Sequence, residues 1–249
     1  MADATTLPAE STFEPPLRRA PEPGAAWNDV EHVILTRRSV RAYRSKQVPE
    51  HLVRRVLEAG RYAPSAGNAQ PWRFVVVRDR ALIDEMEGYV RQKLTLAARY
   101  LDYTRPGARA QRWLTELLMR VRPSELHPTP LSAYSAIADG RLGVFHGAPT
   151  LIFMLVDGRG VGSPLLDVGI AGQNMVLAAH SFGLGTCWVS SSRVLETSRK
   201  FRALLQVQHP YRFASSLALG FPRGRPDGFV PRETHETLWI EGGQSSVRR

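Results

Sequence analysis

The sequence predicts a protein in which α-helices alternate with β-strands, of the α/β or the α+β class. The apolar run TLIFMLVD, Thr150–Asp157, has the length and the continuity of a central strand. Just after Asn28, a good helix N-cap, Val30, Val33 and Ile34 recur at the spacing of one helical face. With 249 residues, 43% of them hydrophobic, the chain is long enough for one large domain or two small ones.

The first half of the chain is predicted to hold two helices, a loop, a strand and a longer helical region. The second helix starts around Pro49 and carries its apolar residues on one face. The stretch APSAGNAQPW, residues 63–72, is rich in turn-forming residues, and a strand at 74–77 follows it. Residues 81–121 show a helical pattern that loop-like segments interrupt.

The second half centres on one helix, for which Ser163 supplies the N-cap and Pro164 the first turn. This helix is predicted to end at Gly183. Because it is apolar nearly all round, we expect it to be buried in the middle of the protein. The pattern then predicts a strand at 186–189, a helix near 198–205 and a strand at 213–219.

Composition narrows the possible partners. The formal net charge is +10, and only three of the 33 basic residues are lysines. Arginine suits bidentate capture of phosphate, but the basic residues are scattered, which disfavours a nucleic-acid partner. The single cysteine excludes an intramolecular disulfide and a cysteine-based zinc site. No signal peptide is evident and no apolar run reaches about 20 residues, so we expect a soluble, cytoplasmic protein without a membrane partner.

The familiar signatures of acid–base, nucleophilic and metal-assisted catalysis are missing. GRGVGS, residues 158–163, lies where a dinucleotide fingerprint would lie, but Ser163 occupies the third glycine position, which favours a plain turn. The seven histidines are dispersed, and Cys187 in its apolar strand is predicted to be a small buried filler. We therefore name no catalytic side chain and no metal ligand. Binding alone, or a cofactor that brings its own reactivity, fits this pattern.

Arginines cluster in two places. In TRRSVRAY, Arg37, Ser39 and Arg41 alternate along an extended chain, so their side chains point the same way and can converge on one anion. A helix end also favours arginine without any ligand, which leaves both readings open. The stretch GFPRGRPDGFVPRE, residues 220–233, supplies three more: Arg223, Arg225 and Arg232.

Four motifs occur in a fixed order: TRRSVRAY, APSAGNAQPWRFVVV, DVGIAGQNMVLAAHSFGLGTCWV and ALGFP. Together they resemble the nitroreductase family of FMN-dependent oxidoreductases, over roughly residues 28–241. The resemblance implies an α+β fold with a mainly antiparallel central sheet flanked by helices. It also implies an intertwined homodimer that binds two FMN molecules at its interface.

The chain is predicted to consist of an extension and one FMN-binding domain; the extension is rich in proline and lacks apolar periodicity, so we expect it to be mobile or to wrap a partner subunit. The extension covers residues 1–26, and the domain covers 27–249. Within the domain, residues 88–146 match the family least and correspond to its variable helical excursion, which caps the active site.

The first motif is implied to hold the cofactor. Arg37 and Ser39 match residues that bind the phosphate and ribityl chain of FMN, and Arg38 stands between them. Arg41 matches a basic residue near N1 and O2 of the flavin ring, where it stabilises the negative charge that reduction brings.

The other motifs supply further cofactor contacts by the same resemblance. Ser190 and Ser191 match the pair whose backbone N–H meets flavin N5, although the family often has glycine at the second position. The phosphate-binding arginine near the C-terminus corresponds to Arg232, with Arg225 next. The loop that packs on the flavin from the partner subunit corresponds to Pro64, Ser65, Ala66 and Asn68.

The implied function is an FMN-dependent NAD(P)H oxidoreductase. Hydride from NADH or NADPH would pass through the flavin to a nitroaromatic, quinone or related small-molecule acceptor, in one pocket and with ping-pong kinetics. Two alternatives stay open. One is a specialised family member, such as an ene-reductase, a biosynthetic dehydrogenase or a dehalogenase. The other is a non-catalytic protein that binds flavin or associates with nucleic acid.

Overall fold

The computed structural model describes residues 27–101, 109, 113, 117, 128–224 and 235–248. They belong to two compact units, one spanning residues 28–226. Of the other unit the described part is Trp27 and a hairpin, whose two antiparallel strands are Thr237–Glu241 and Gln244–Arg248. The domain boundaries expected from the sequence, at 1–26 and 27–249 with an excursion at 88–146, stay a prediction.

The larger unit is built on a four-stranded antiparallel sheet. In chain order its strands are β1 (Trp72–Val77), β2 (Thr150–Asp157), β3 (Gly185–Trp188) and β4 (Tyr211–Gly220). In space the order is β1-β2-β4-β3, and every neighbouring pair is antiparallel. This confirms the antiparallel sheet of an α+β fold, with the apolar run of β2 in an interior position.

Helices surround this sheet. The capping box predicted at Asn28 is present: Glu31 N donates to Asn28 Oδ1 at 3.0 Å, and Asn28 N donates to Glu31 Oε2 at 2.8 Å. The helices are α1 (Asp29–Thr36), α2 (Glu50–Arg61), α3 (Arg80–Leu101), α4 (Pro128–Ala138), α5 (Pro164–Ser181) and α6 (Arg199–Leu204).

The two faces of the sheet carry separate apolar cores, which explains why β2 is apolar at all of its buried positions but the first. Leu151, Phe153 and Leu155 point to the face covered by α3, α4 and α6, whereas the alternate residues of β2 point to the face covered by α2 and α5. The exception is Thr150 at the start of the strand, whose buried hydroxyl donates to Gln47 Oε1 at 2.7 Å. The sheet therefore holds the chain segments at its edges in a fixed frame.

Helix α5 differs from its prediction in one respect. It begins at Pro164 as expected and ends at Ser181, two residues before Gly183. One face is buried, but Leu165 and Leu166 near its start are 52% and 62% exposed. The expectation of burial all round was wrong for the single chain, because α5 packs against one side of the sheet and its first turn leaves these two leucines exposed.

Candidate functional site

The arginine-rich segment 37–44 runs from the end of α1 along the free edge of β3. Ser39 forms a parallel bridge with Thr186, and Val40 N donates to Thr186 O at 2.9 Å. Further along, Arg44 N donates to Phe221 O, also at 2.9 Å. The structure thus brings TRRSVRAY together with GLGTCW and ALGFP, three of the four motifs that the sequence singles out.

Glycines make this approach possible. A Cβ on Gly185 would lie 2.7 Å from Cβ and Cγ2 of Val40, and a Cβ on Gly220 would lie 2.9 Å from Cδ1 of Tyr43. Real side chains do not tolerate such contacts, so β3 and β4 need glycine where the segment passes. The close packing fixes the backbone from which Arg37, Ser39 and Arg41 project.

Inward-pointing residues anchor the same segment. Val40 and Tyr43 are buried, and the Tyr43 hydroxyl donates to Val40 O at 2.6 Å. Burial raises the pKa of Tyr43 far above its usual value, and the nearby Cys187 adds to the rise. The hydroxyl therefore stays protonated and keeps its donor role. Ser39 and Arg41, in contrast, are exposed.

The side chain of Arg38 forms hydrogen bonds with the end of α1. Its Nη1 donates to Leu35 O at 3.0 Å and to Arg37 O at 2.9 Å. Both carbonyls lie at the C-terminal end of α1, where the helix leaves acceptors without intrahelical partners and where a cation is favourable. Arg38 therefore has a structural role at the end of α1 that needs no ligand.

Two histidines have a pKa that is lowered by burial and, to a smaller extent, by the arginines of this segment. His180 Nε2 lies 3.0 Å from Thr36 Oγ1, and its pKa is lowered first by burial and then by Arg37, His32 and Arg38. Burial and then Arg41 lower the pKa of His146 from 6.5 to about 4. Both imidazoles are thus neutral at pH 7, and the guanidinium groups around them suit an anionic ligand such as a phosphate.

Ser190 and Ser191 begin a 3₁₀ segment, Ser190–Thr197, directly after β3. Ser191 is buried, and it is not among the described non-glycine residues with positive φ, which are Asn68, Gln70, His146 and Gln206. Serine therefore fits this position without backbone strain, although glycine is frequent there in the resembling family. The segment is held by Ser192 Oγ, which donates to Val189 O at 2.5 Å.

The loop 63–72 forms a compact turn of its own. Its 3₁₀ turn spans Ala66–Asn68, and Gly67 and Asn68 both adopt positive φ. Gln70 N donates to Ser65 Oγ at 3.0 Å, and Gln70 Nε2 donates to Asn68 Oδ1 at 3.0 Å. Pro64 and Asn68 are exposed, whereas Ser65 and Ala66 are half-buried. Trp72 then enters β1 opposite Val156, as predicted for an anchor on the sheet.

Within one chain this loop and the arginine segment lie near opposite ends of α5. Ala66 N donates to Asp167 Oδ2 at 3.4 Å, near the start of α5. Thr36, the residue before Arg37, contacts His180 near the end of the same helix. Those two positions on α5 are thirteen residues apart, which at the helical rise is about 20 Å. Each chain therefore presents the loop and the arginine segment as two separate half-sites.

Comparison with known proteins identifies the family to which the chain belongs. The model of the nitroreductase family matches residues 34–221, which covers the four motifs apart from Pro222, the last residue of ALGFP. The chain belongs to the nitroreductase family. This confirms the resemblance on which the expected fold and cofactor rest.

Individual nitroreductase relatives agree with the family model. A Methanothermobacter thermautotrophicus protein assigned as an NADH dehydrogenase/NAD(P)H nitroreductase is 29% identical over 85% of this chain and 88% of its own length. The 5,6-dimethylbenzimidazole synthase of Rhodospirillum rubrum is 32% identical over 75% and 79%. The solved nitroreductase of Desulfitobacterium hafniense, which contains bound FMN, superposes with a TM-score of 0.63 at 26% identity, over 83% of this chain and 96% of that one.

Several features of this part of the molecule are not evident from sequence. Arg41 affects the pKa of both His146 and Cys187, after the larger effect of burial, although the sequence singled out neither residue for such a role. Cys187 is indeed buried, and burial raises the pKa of its thiol while Arg41 opposes the rise. The spacing of residues along the sequence could not predict either effect on the pKa, because each depends on how segment 37–44 lies against β3.

The remaining sequence expectations have mixed outcomes. Arg225 and Arg232 lie outside the described residues, whereas Arg223 is described and its N–H donates to Ala42 O at 2.9 Å. In the described part of the chain no group of three or more histidine, cysteine or acidic residues could hold a metal ion. None of the helices described there has the length and hydrophobicity needed to cross a membrane.

Proposed function

We propose that the protein is a homodimeric FMN-dependent oxidoreductase that takes electrons from NADH or NADPH and delivers them to nitroaromatic, quinone or related acceptors. The observation that supports the proposal is the junction of segment 37–44 with β3, the strand that leads into Ser190 and Ser191. The FMN bound in the Desulfitobacterium hafniense structure and the NAD(P)H nitroreductase assignment of the archaeal relative support it.

The chain's own residues would bind and orient the cofactor. Arg37 and Ser39 would hold its phosphate and ribityl chain through charge-assisted hydrogen bonds. Arg41 would lie near N1 and O2 of the ring, and the backbone N–H of Ser191 near N5. The guanidinium groups of this edge fit such an anionic ligand, and His146 is kept neutral first by burial and then by Arg41. FMN, when bound, supplies the hydride chemistry, so no side chain needs to act as an acid or a base.

The separation of the half-sites supports the homodimer. The loop with Pro64, Ser65, Ala66 and Asn68 lies at the opposite end of α5 from the arginine segment, so it would complete the site of a partner subunit. The exposed Leu165 and Leu166 lie at the loop's end of α5, and a partner would cover them. Arg232, or else Arg225, stays the proposed additional phosphate contact, and a cytoplasmic location stays a prediction.

Purification and kinetics test the proposal. The protein should be yellow, release FMN on denaturation and elute as a dimer. It should oxidise NADH or NADPH with menadione or a nitroaromatic compound, giving parallel lines in double-reciprocal plots. Colourless protein that does not bind added FMN would refute the proposal.

Mutation tests the assignment of the first motif. Arg37→Ala together with Ser39→Ala should abolish FMN retention while the circular dichroism spectrum stays native. Arg54→Ala, on the exposed face of α2, is the matched control and should keep its flavin. If the double variant retained a full complement of FMN, the phosphate site would have to lie elsewhere.

A second candidate is a specialised biosynthetic flavoenzyme. The 32% identity to 5,6-dimethylbenzimidazole synthase favours it, since that relative covers most of this chain. The two candidates share the cofactor and differ in the acceptor. A yellow dimer that reduces neither quinones nor nitroaromatics with NADH or NADPH would favour the specialised enzyme.

A further inference from the structure

The glycine-rich turn GRGVGS, residues 158–163, joins β2 to α5 and packs directly against the loop 63–72. The sequence favours a plain turn here over a dinucleotide-binding fingerprint. The loop that the turn contacts is one of the two half-sites of the proposed cofactor site. The contact is therefore a candidate for the feature that fixes the position of this half-site.

Two glycines allow the turn to approach the loop so closely. A Cβ on Gly162 would lie 3.0 Å from Cβ of Ala66. A Cβ on Gly160 would lie 3.3 Å from Cβ of Pro71 and 3.0 Å from Cγ of Pro164. Gly162 also has a φ of +71°, a left-handed conformation that few other residues adopt. A side chain in place of either glycine would require its neighbours to shift by a few tenths of an ångström.

Hydrogen bonds join the loop to the chain on both sides of the turn. Before the turn, Asp157 N donates to Pro71 O at 2.7 Å. After the turn, Ala66 N donates to Oδ2 of the buried Asp167 at 3.4 Å. The glycine contacts with Ala66 and Pro71 involve the same two residues of the loop. The loop is thus held against the turn at both of these points.

Further hydrogen bonds hold the turn in its own shape. The carboxylate of Asp157 accepts from Arg159 N at 2.9 Å, and from Nε and Nη2 of the same arginine at 3.0 and 2.8 Å. Asp167 N donates to Ser163 O at 3.1 Å, at the junction with α5. The turn is therefore anchored to the end of β2 and to the start of α5, so it can serve as a fixed support for the loop.

We infer that the turn 158–163 sets the position of the loop 63–72, and that Gly160 and Gly162 are positioning residues for the cofactor site of the partner subunit. The inference rests on the proposed function, in which the loop packs on a flavin held by the partner's arginine segment. Displacement of the loop would weaken its contact with that flavin. The arginine segment of the same chain should stay in place, because it lies about 20 Å away along α5.

A double-mutant cycle in the apoprotein tests the contact between turn and loop. Gly162→Ala adds a clash with Ala66 and also a side chain at positive φ. Gly140→Ala is the matched control, because its φ is +72° and an added Cβ meets no atom within 4 Å. We expect Gly162→Ala to lower Tm by roughly 2–4 °C more than Gly140→Ala does. Ala66→Gly should remove this excess and leave the effect of Gly140→Ala unchanged. Additive effects of Gly162→Ala and Ala66→Gly would overturn the inference.

The affinity for FMN tests whether the turn matters for the cofactor. Because its loops are displaced, the Gly162→Ala homodimer should bind FMN roughly tenfold more weakly than the wild type in a fluorescence titration. Wild-type affinity in this homodimer would overturn the inference.

Mixed dimers test whether the turn acts on the partner's site. One chain carries Arg37→Ala with Ser39→Ala and has an intact loop, and the other carries Gly162→Ala and has an intact arginine segment. Co-expression with two different affinity tags yields the mixed dimer. It should have one site of wild-type affinity, since the intact segment of the second chain meets the intact loop of the first. A mixed dimer without this restored site would overturn the inference.

Two provisions keep the test decisive. If Gly162→Ala did not fold, Gly160→Ala would replace it in the titration, the mixed dimer and the cycle, with Pro71→Gly in place of Ala66→Gly. If the wild-type protein bound no FMN, the proposed function would fail, and the double-mutant cycle would still decide whether the turn holds the loop.

Discussion

Gly185→Ala tests whether segment 37–44 lies against β3 as closely as the structure shows. The added Cβ would lie 2.7 Å from Cβ and Cγ2 of Val40 and 2.9 Å from Cγ1. Val40 is buried and β-branched, so it cannot rotate away and the whole segment must shift. Overpacking of this kind costs about 1–3 kcal/mol. In a chain of this size the loss corresponds to a Tm lower by roughly 2–12 °C.

The same shift should reach the cofactor. Arg37, Ser39 and Arg41 project from the displaced backbone, and loss of one charge-assisted hydrogen bond costs about 1.5–3 kcal/mol. FMN affinity should therefore fall by roughly 10- to 100-fold. Fluorescence titration of the apoprotein with FMN measures the affinity, and thermal unfolding of the apoprotein measures the stability independently of the ligand.

Two comparison variants make the test specific. Gly88 lies on the exposed side of α3, where an added Cβ meets no atom within 4 Å, so Gly88→Ala should be neutral or stabilising by up to about 1 kcal/mol. Val40→Ala removes the two methyl groups that clash but keeps the Cβ, so adding it to Gly185→Ala should restore only part of the lost stability and affinity. If Gly185→Ala behaved like the wild type, the close docking of the segment would be disproved.

Two further predictions concern stability. Asn28→Ala removes the acceptor of the capping box and should lower the free energy of unfolding by about 0.5–2 kcal/mol in urea, and an unchanged urea midpoint would contradict the cap. His146 should make stability depend on pH: between its folded pKa of about 4 and its ordinary value of 6.5 the unfolded chain binds more protons, so stability rises with pH across that range and levels off above it. Urea unfolding of His146→Leu should show a flatter rise, and equal slopes in variant and wild type would show that His146 is not buried as a neutral group.

Local sequence was enough to predict those parts of the site that lie in one short stretch. The alternation of Arg37, Ser39 and Arg41 indicated a shared direction, and the apolar run of β2 indicated an interior strand. Both inferences depend on the geometry of an extended chain, which is the same in every protein. The capping box at Asn28 was predictable for a similar reason, because both of its hydrogen bonds join residues three positions apart.

Features that depend on distant segments could not be predicted in this way. Nothing in the letters RR indicates that the second arginine, Arg38, hydrogen-bonds carbonyl groups at the end of α1. The same holds for His146, since a histidine in a glycine-containing turn carries no sign that it will be buried beside Arg41. Its positive φ and its orphaned Nδ1 arise from the packing of Val144 and Phe145 in the core.

The wrong expectation for α5 has a physical cause that links it to function. An apolar surface all round a helix indicates that every face is covered, but it does not indicate whether the same chain covers it. In the single chain the first turn of α5 leaves Leu165 and Leu166 exposed. The sequence signal for burial was therefore wrong for the single chain, and the proposed dimer would cover these two leucines.

Helix α5 also explains why such a dimer would be needed for cofactor binding. The loop contacts this helix at Asp167, and the residue before Arg37 contacts it at His180. These two positions are about 20 Å apart along the helix axis. The loop of one chain would therefore not reach a cofactor held by the arginine segment of the same chain. Leu165 and Leu166 lie at the loop's end of this helix. A partner that buries these leucines would contact the protein beside the loop. The apolar contact that drives association would then also deliver the loop to the partner's arginines, so that cofactor binding and dimerisation depend on the same surface.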